Sequence, residues 1–185
     1  LNYTNTLEKI LGLNAGVTTK AFSSSTYLRN IIHVHGQLGE SIIIGVDHPA
    51  QMRNEAFRNN EDIKDIMIKI ESNESMKETR HMECERLIAN ANVIVLFGVS
   101  LGETDARWWK LIGQNLKRRK NIAIIQHLYN PGAINPTQRQ KIRRLEREQQ
   151  EYLLQRMEVK MEGGDVDIRD RLFFTVNEPI FKILP

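Results

Sequence analysis

Two strand-length apolar runs, NVIVLFG over residues 92–98 and NIAIIQH over residues 121–127, bracket a single helical stretch. A strand that is apolar at nearly every position suits the middle of a parallel sheet covered on both faces. Between the runs, Glu103 and Asp105 fall where the helix starts, and Lys117, Arg118, Arg119 and Lys120 where it ends. That is the charge order a helix macrodipole favours. Trp108, Leu111, Ile112 and Leu116 form its expected buried stripe. Strand, helix and strand make a βαβ unit, which connects right-handed. The chain is thereby committed to an α/β architecture.

Upstream, the sequence IIHVHG at residues 31–36 reads as a short strand beginning near Leu28, and SIIIGV at residues 41–46 as a second strand paired with it. On such a strand His33 and His35 share one face and Val34 takes the other. His35, followed by Gly36, then sits at the carboxyl end, where open α/β sheets hold their ligands. Residues 6–13, with Glu8 early and Gly12 late, read as a short helix, and residues 15–27, rich in Gly, Thr and Ser, as a loop.

From about residue 47 to residue 92 the apolar period is helical, with Phe57, Ile63, Ile66, Met67 and Ile70 as one stripe and Met82, Leu87, Ile88 and Ala91 as another. This is a helical insertion. Pro136 then opens a long helix that runs to Gly163-Gly164, its inward residues being Ile142, Leu145, Tyr152, Leu153 and Met157. Residues 171–176 read as a last strand. The fold expected is one α/β domain over residues 1–185, Rossmann-like, with a mainly parallel sheet and a long C-terminal helix. The opening Leu1-Asn2-Tyr3, which has the look of a strand end, suggests the C-terminal part of a larger chain.

At 185 residues, 41% hydrophobic and 26% charged, with a negative mean hydropathy, the composition is that of an ordinary soluble protein of one domain. No apolar run nears the roughly 20 residues of a membrane helix, and no leader sequence is visible. One cysteine, Cys84, excludes an internal disulfide framework and suits a reducing cytoplasm. The net charge of +3 is too weak to indicate nucleic acid by itself. Six basic residues without an acidic one do cluster from Arg107 to Lys120, beside Trp108 and Trp109. A helix end in solvent accounts for them better than a stacking surface for nucleic acid.

Three motifs carry chemistry. Gly98-x-Ser100-x-Gly102 lies at a strand-to-helix junction and matches the nucleophile elbow of serine hydrolases. His127 is the one histidine downstream of Ser100, with no suitably placed acid between. The same small residues let a phosphate or ribose approach the backbone at a helix amino end, and a plain turn capped by Ser100 is the third reading. His33 and His35, with Asp47 or His48 nearby, have the elements of a metal site, but no further ligand spacing supports one and no metal is expected.

Taken in order, TLEKILGL at residues 6–13, HVHG at residues 33–36 and GVSL at residues 98–101 resemble the sirtuin-type NAD-binding core. The fuller pattern, NYTNTLE, then HVHG with IIIG behind it, then GVSLGETD with a tryptophan pair, is similar to the AbiH family of bacteriophage abortive-infection proteins. That resemblance implies a sirtuin-like NAD-binding fold with NAD or a related nucleotide as substrate. His35 takes the position of the general base, Asn2 or Asn5 orients a ribose or an attacking water, and Gly36, Gly98, Ser100, Leu101 and Asp105 line the nucleotide. Thr4 or Asn5 stands where an Asp is usual, and the cysteine zinc ribbon of protein deacylases is absent. The implied activity is hydrolysis of a nicotinamide glycosidic bond in a cytoplasmic defence protein answering a phage-derived trigger. A non-catalytic nucleotide sensor and a serine hydrolase at Ser100 are the alternatives.

Overall fold

The computed structural model describes residues 4–11, 20–21, 27–28, 31–130, 139–161 and 166–177, and the chain forms two compact units, Leu1–Cys84 and Glu85–Pro185. In the first unit, α1 (Thr6–Ile10) begins after Asn5, and β1 (Lys20–Ala21) pairs antiparallel with β2 (Tyr27–Leu28).

The two strands expected over residues 28–35 and 41–46 do not form as such. Residues 31–33 lie outside any strand, and the chain turns at Val34 and His35 onto Gly36, whose φ is +82° and whose N–H donates to the His33 carbonyl at 2.8 Å. A side chain explains the loss of pairing. The Arg80 guanidinium donates to the carbonyls of His33 (3.4 Å) and Ser41 (3.0 Å), taking acceptors a ladder would use. His33 and His35 therefore flank a turn instead of sharing a strand face. Of the IIIG segment, Ile43 is buried and Ile44 exposed, and only Val46 makes a β-bridge, parallel to Ile68. Gly45 sits so close to that bridge that a Cβ would lie 2.0 Å from the Met67 carbonyl oxygen.

The helical stretch is present but broken into short pieces: a 3-10 turn (Pro49–Gln51), α2 (Glu55–Arg58), α3 (Glu61–Met67), α4 (Lys69–Ser75) and α5 (Arg80–Asn90). Asparagines set the breaks, Asn54 accepting from the Ala56 N–H and Asn60 from the Ile63 N–H, as helix-capping side chains do. The extended Ile68 separates α3 from α4 and is itself buried, while Phe57 and Ile66 of the anticipated stripe are exposed.

The second unit realises the βαβ expectation. β3 (Val93–Leu96) leads through a 3-10 turn (Glu103–Asp105) into α6 (Ala106–Arg118) and β4 (Ala123–Leu128). α7 (Arg139–Arg156), α8 (Val166–Arg169) and β5 (Leu172–Val176) follow. The strands form a parallel sheet in the order β3-β4-β5, with Leu96 opposite Gln126, Gln126 opposite Phe174 and His127 opposite Thr175. The molecule is thus mixed α/β, with a small parallel sheet and many helices.

The core joins Leu96, Ile122 and Ile124 of the sheet region to Ile112 and Leu116 of α6 and to Leu153 and Leu154 of α7, all at most 6% exposed. Each such side chain stabilises the fold by roughly 1.5–3 kcal/mol. On the other face Val93, Val95, Phe97 and Phe173 are about half exposed, so the described core covers one side of the sheet, not both. Trp109 takes the buried place expected for Trp108, because its indole N–H donates to the Gly102 carbonyl at 3.0 Å. α7 stops at Arg156, short of the glycine pair. There the chain turns through Glu158 at φ +53°, the Val159 N–H donates to the Leu154 carbonyl, and Met157 and Val159 enter the core. α6 and α7 meet closely at Gly113, where a Cβ would lie 2.3 Å from the Met157 carbonyl oxygen.

Candidate functional site

In the second unit the chain leaves β3 through Phe97, Gly98, Val99, Ser100 and Leu101 before entering α6. Two of these residues are left-handed, Gly98 at φ +65° and Leu101 at φ +51°. A leucine in that conformation stores roughly 1–2 kcal/mol, and several contacts hold it there. Its side chain is 1% exposed, its carbonyl accepts from Arg156 Nε at 2.8 Å, and the neighbouring Gly102 carbonyl is held by Trp109. With the loop fixed from below, Ser100 is left exposed.

The loop walls a cleft of about 560 Å³ with the end of β4, from Gln126 to Asn130, and with Leu145, Gln149 and Tyr152 of α7. The cleft opens at the carboxyl ends of β3 and β4, the edge at which open parallel sheets bind ligands. His127 stacks on Phe97, ring centres 5.1 Å apart, and its Nδ1 is hydrogen-bonded to the Thr175 hydroxyl at 3.0 Å. Gln126 is 4% exposed, and its Oε1 is buried without a hydrogen-bond partner among the described residues.

Of the residues singled out in the sequence, Gly98, Ser100 and Leu101 meet in this cleft, Leu101 through its backbone since its side chain is core. Asp105 stands at the start of α6, outside the lining. His35, Gly36 and Asn5 belong to the first unit, and Asn2 lies outside the described residues. Gln126, His127 and Tyr152 were not anticipated as lining residues, although the position of residues 126–127 at the end of the second apolar run was the available signal.

The first unit contains a polar cluster of its own. His33 Nε2 lies 2.5 Å from Glu8 Oε1, fastening α1 to the turn, and Arg80 links the carbonyls of His33 and Ser41 to the Glu78 carboxylate. His33 is thus engaged by a carboxylate, not arranged with His35 as a ligand pair, and His48 Nδ1 is occupied in accepting from the Ala50 N–H. Among the described residues no group of three His, Cys, Asp or Glu side chains could hold a metal ion.

Burial raises the Glu8 carboxyl, but the hydrogen bond from His33, one from its own backbone N–H and the imidazole charge together outweigh it, so its pKa lies below the usual 4.5. A carboxyl lowered on folding stabilises the fold above its unfolded pKa and loses that contribution as pH falls through its folded pKa. Denaturant titrations should therefore show the first unit weakening as pH drops below about 4.5, with the slope flattened in Glu8→Gln. Equal slopes in the two proteins would refute the pairing.

Part of the basic run from Arg107 to Lys120 is engaged, while Lys117, Arg118 and Lys120 are exposed. Arg107 pairs with Glu85 and lies 5.9 Å from the Trp108 ring centre, Lys110 bonds Glu158 at 2.9 Å, and Arg119 donates to the carbonyls of Ala89 and Ala91. Among the described residues no helix is long and apolar enough to cross a membrane.

A family model described as "Bacteriophage abortive infection AbiH" matches residues 1–127. That span takes in the histidine turn, the Gly98–Leu101 loop and β4 as far as His127. No curated protein and no solved structure matches the chain.

Proposed function

The chain belongs to the AbiH family of bacteriophage abortive-infection proteins, and from that premise we propose that it acts in phage defence by binding NAD or a related nucleotide and hydrolysing its nicotinamide glycosidic bond. The observation that carries the nucleotide reading is the cleft at the carboxyl ends of β3 and β4. There a loop with two left-handed residues leaves the backbone around Ser100 open at the entry to a helix. A glycine in such a loop lets a ligand approach the backbone closely.

The reaction consumes water: its oxygen bonds to the ribose anomeric carbon, the bond to the pyridinium nitrogen breaks, nicotinamide leaves as a neutral molecule, and the water proton passes to a base. In this reading His35 is that base, and Asn2 or Asn5 orients the water. Those roles rest on the sirtuin-type resemblance of the asparagine and histidine motifs. Gly36 follows the base, Gly98, Ser100 and Leu101 line the nucleotide, and Asp105 stands close behind them in sequence. A cytoplasmic effector of this kind, released by a phage-derived trigger, would exhaust a host nucleotide and halt phage growth.

The serine-hydrolase alternative is less well supported, since His127 is oriented by the Thr175 hydroxyl and not by a carboxylate. Calorimetry with NAD tests the cleft. Saturable binding is expected in the parent protein and at least tenfold weaker binding in Ser100→Trp, with the unfolding midpoint unchanged because Ser100 is exposed. Binding that ignores the tryptophan would remove the nucleotide from this cleft. Binding without turnover would favour the sensor, and fluorophosphonate labelling lost in Ser100→Ala would favour the hydrolase.

A further inference from the structure

Gln126 and His127, near the end of β4, face opposite ways, since successive residues of a strand alternate between its faces. Gln126 follows Ile124 into the core, both at most 4% exposed. His127 takes the other face, half-buried, its ring stacked on the half-exposed Phe97 at 5.1 Å. Both rings belong to the wall of the cleft.

That wall is nearly devoid of charge. Among its described residues stands no Asp, Glu, Lys or Arg, and His127 is the one side chain able to take a positive charge. Arg156 lies 5.6 Å from the ring centre of Tyr152, but its guanidinium is engaged by the Leu101 carbonyl and by Glu103, 3.5 Å away. An anion entering the cleft therefore meets no carboxylate in the described wall and one imidazole to receive it.

Thr175 sets what that imidazole can do. It stands opposite His127 in β5, and its hydroxyl is hydrogen-bonded to Nδ1 at 3.0 Å. A carboxylate in that place would hold a proton on Nδ1 and leave Nε2 as an acceptor, the arrangement of a general base. A hydroxyl can donate as well as accept. When it donates to Nδ1, the proton of the neutral ring sits on Nε2, and a protonated ring carries one there too. Nε2, at the tip of the ring, has no hydrogen-bond partner among the described residues and is not one of their buried unpartnered atoms.

We infer that His127 is a phosphate-binding residue of the cleft, donating through Nε2 to an oxygen on the phosphate of the bound nucleotide. The inference deepens the nucleotide reading above and rests on it. The Thr175 hydroxyl and the Phe97 stack hold the ring, and a donor facing an anionic oxygen makes a stronger bond than one facing a neutral acceptor.

The test is equilibrium binding of two pairs of probes that differ only in the phosphate, AMP against adenosine and nicotinamide mononucleotide against nicotinamide riboside. They are titrated into the whole chain and two variants. His127→Phe keeps a flat ring for the stack on Phe97 and removes both nitrogens, and His127→Gln keeps an N–H donor without the ring. The parent should bind the phosphorylated member of at least one pair about 10- to 100-fold more tightly than its nucleoside. In His127→Phe that preference should fall by about tenfold or more, the nucleoside itself staying within about twofold of its parent affinity. His127→Gln should bind the phosphorylated probe more tightly than His127→Phe does.

Unfolding midpoints of both variants, measured alongside, separate lost recognition from lost fold. Equal affinity of the parent for nucleoside and nucleotide, a phosphate preference unchanged in His127→Phe, or a loss shared alike by both members of a pair overturns the role of His127 while leaving the cleft a nucleotide site. Failure of all four probes to bind the parent overturns both readings.

Discussion

Gly36→Ala is expected to weaken the first unit by about 2–5 kcal/mol, a large share of the roughly 5–15 kcal/mol that holds an ordinary domain together. Two costs add. An L-residue at φ +82° loses roughly 1–2 kcal/mol, and the new methyl would lie 1.8 Å from the Ser41 carbonyl oxygen, which forces apart the segments that Arg80 joins. Displacing packed backbone costs roughly a further 1–3 kcal/mol.

Gly39→Ala is the internal control. Gly39 is also left-handed, at φ +94°, but its Cβ would meet nothing within 4 Å. It should show the conformational cost alone. Urea unfolding of the two variants measures the difference, and equal loss in both would show that the close approach at Gly36 is unimportant. The comparison bears on function as well, because it gives the glycine after His35 a structural reason that needs no ligand.

The second unit was the more legible in the sequence. Its two apolar runs and the helix between them are local signals, and strand, helix and strand stand where they were announced, although the described core covers one face of the sheet and Glu103 and Asp105 precede α6 in a 3-10 turn. The tryptophan pair was read one residue out, because periodicity cannot see that the indole of Trp109 has the Gly102 carbonyl to satisfy.

The first unit misled for a physical reason. IIHVHG and SIIIGV have the β-branched composition of strands, but strand formation needs backbone partners, and here a distant guanidinium, that of Arg80, takes the carbonyls of His33 and Ser41. A contact between residues 47 and 39 positions apart leaves no mark on periodicity. The candidate site was half legible for the same reason. Ser100 and its glycines announce themselves as a motif, with His127 as the one histidine after them, whereas Gln126 becomes interesting only once β4 is set beside the loop, and Glu8 only once it meets His33.

The largest expected effect on activity is at His35. A general base contributes roughly 10²- to 10⁴-fold to a rate. In this turn the His35 carbonyl accepts from the Ile43 N–H at 2.9 Å, a bond made by the backbone alone. His35→Ala should therefore leave that bond in place while removing the proposed base, and its unfolding midpoint, measured beside the rate, separates lost chemistry from lost fold. The proposed reaction needs water and one base and no redox partner, so a purified protein with its trigger suffices to test it.

The measurement is nicotinamide release from NAD by the purified protein, with and without lysate from phage-infected cells, in parallel with His35→Ala. Release that the parent sustains and that falls by at least 100-fold in a folded His35→Ala is the result expected of a glycosidic hydrolase. A folded parent that leaves NAD intact in both conditions, or a His35→Ala protein that releases nicotinamide as fast as the parent, would contradict it.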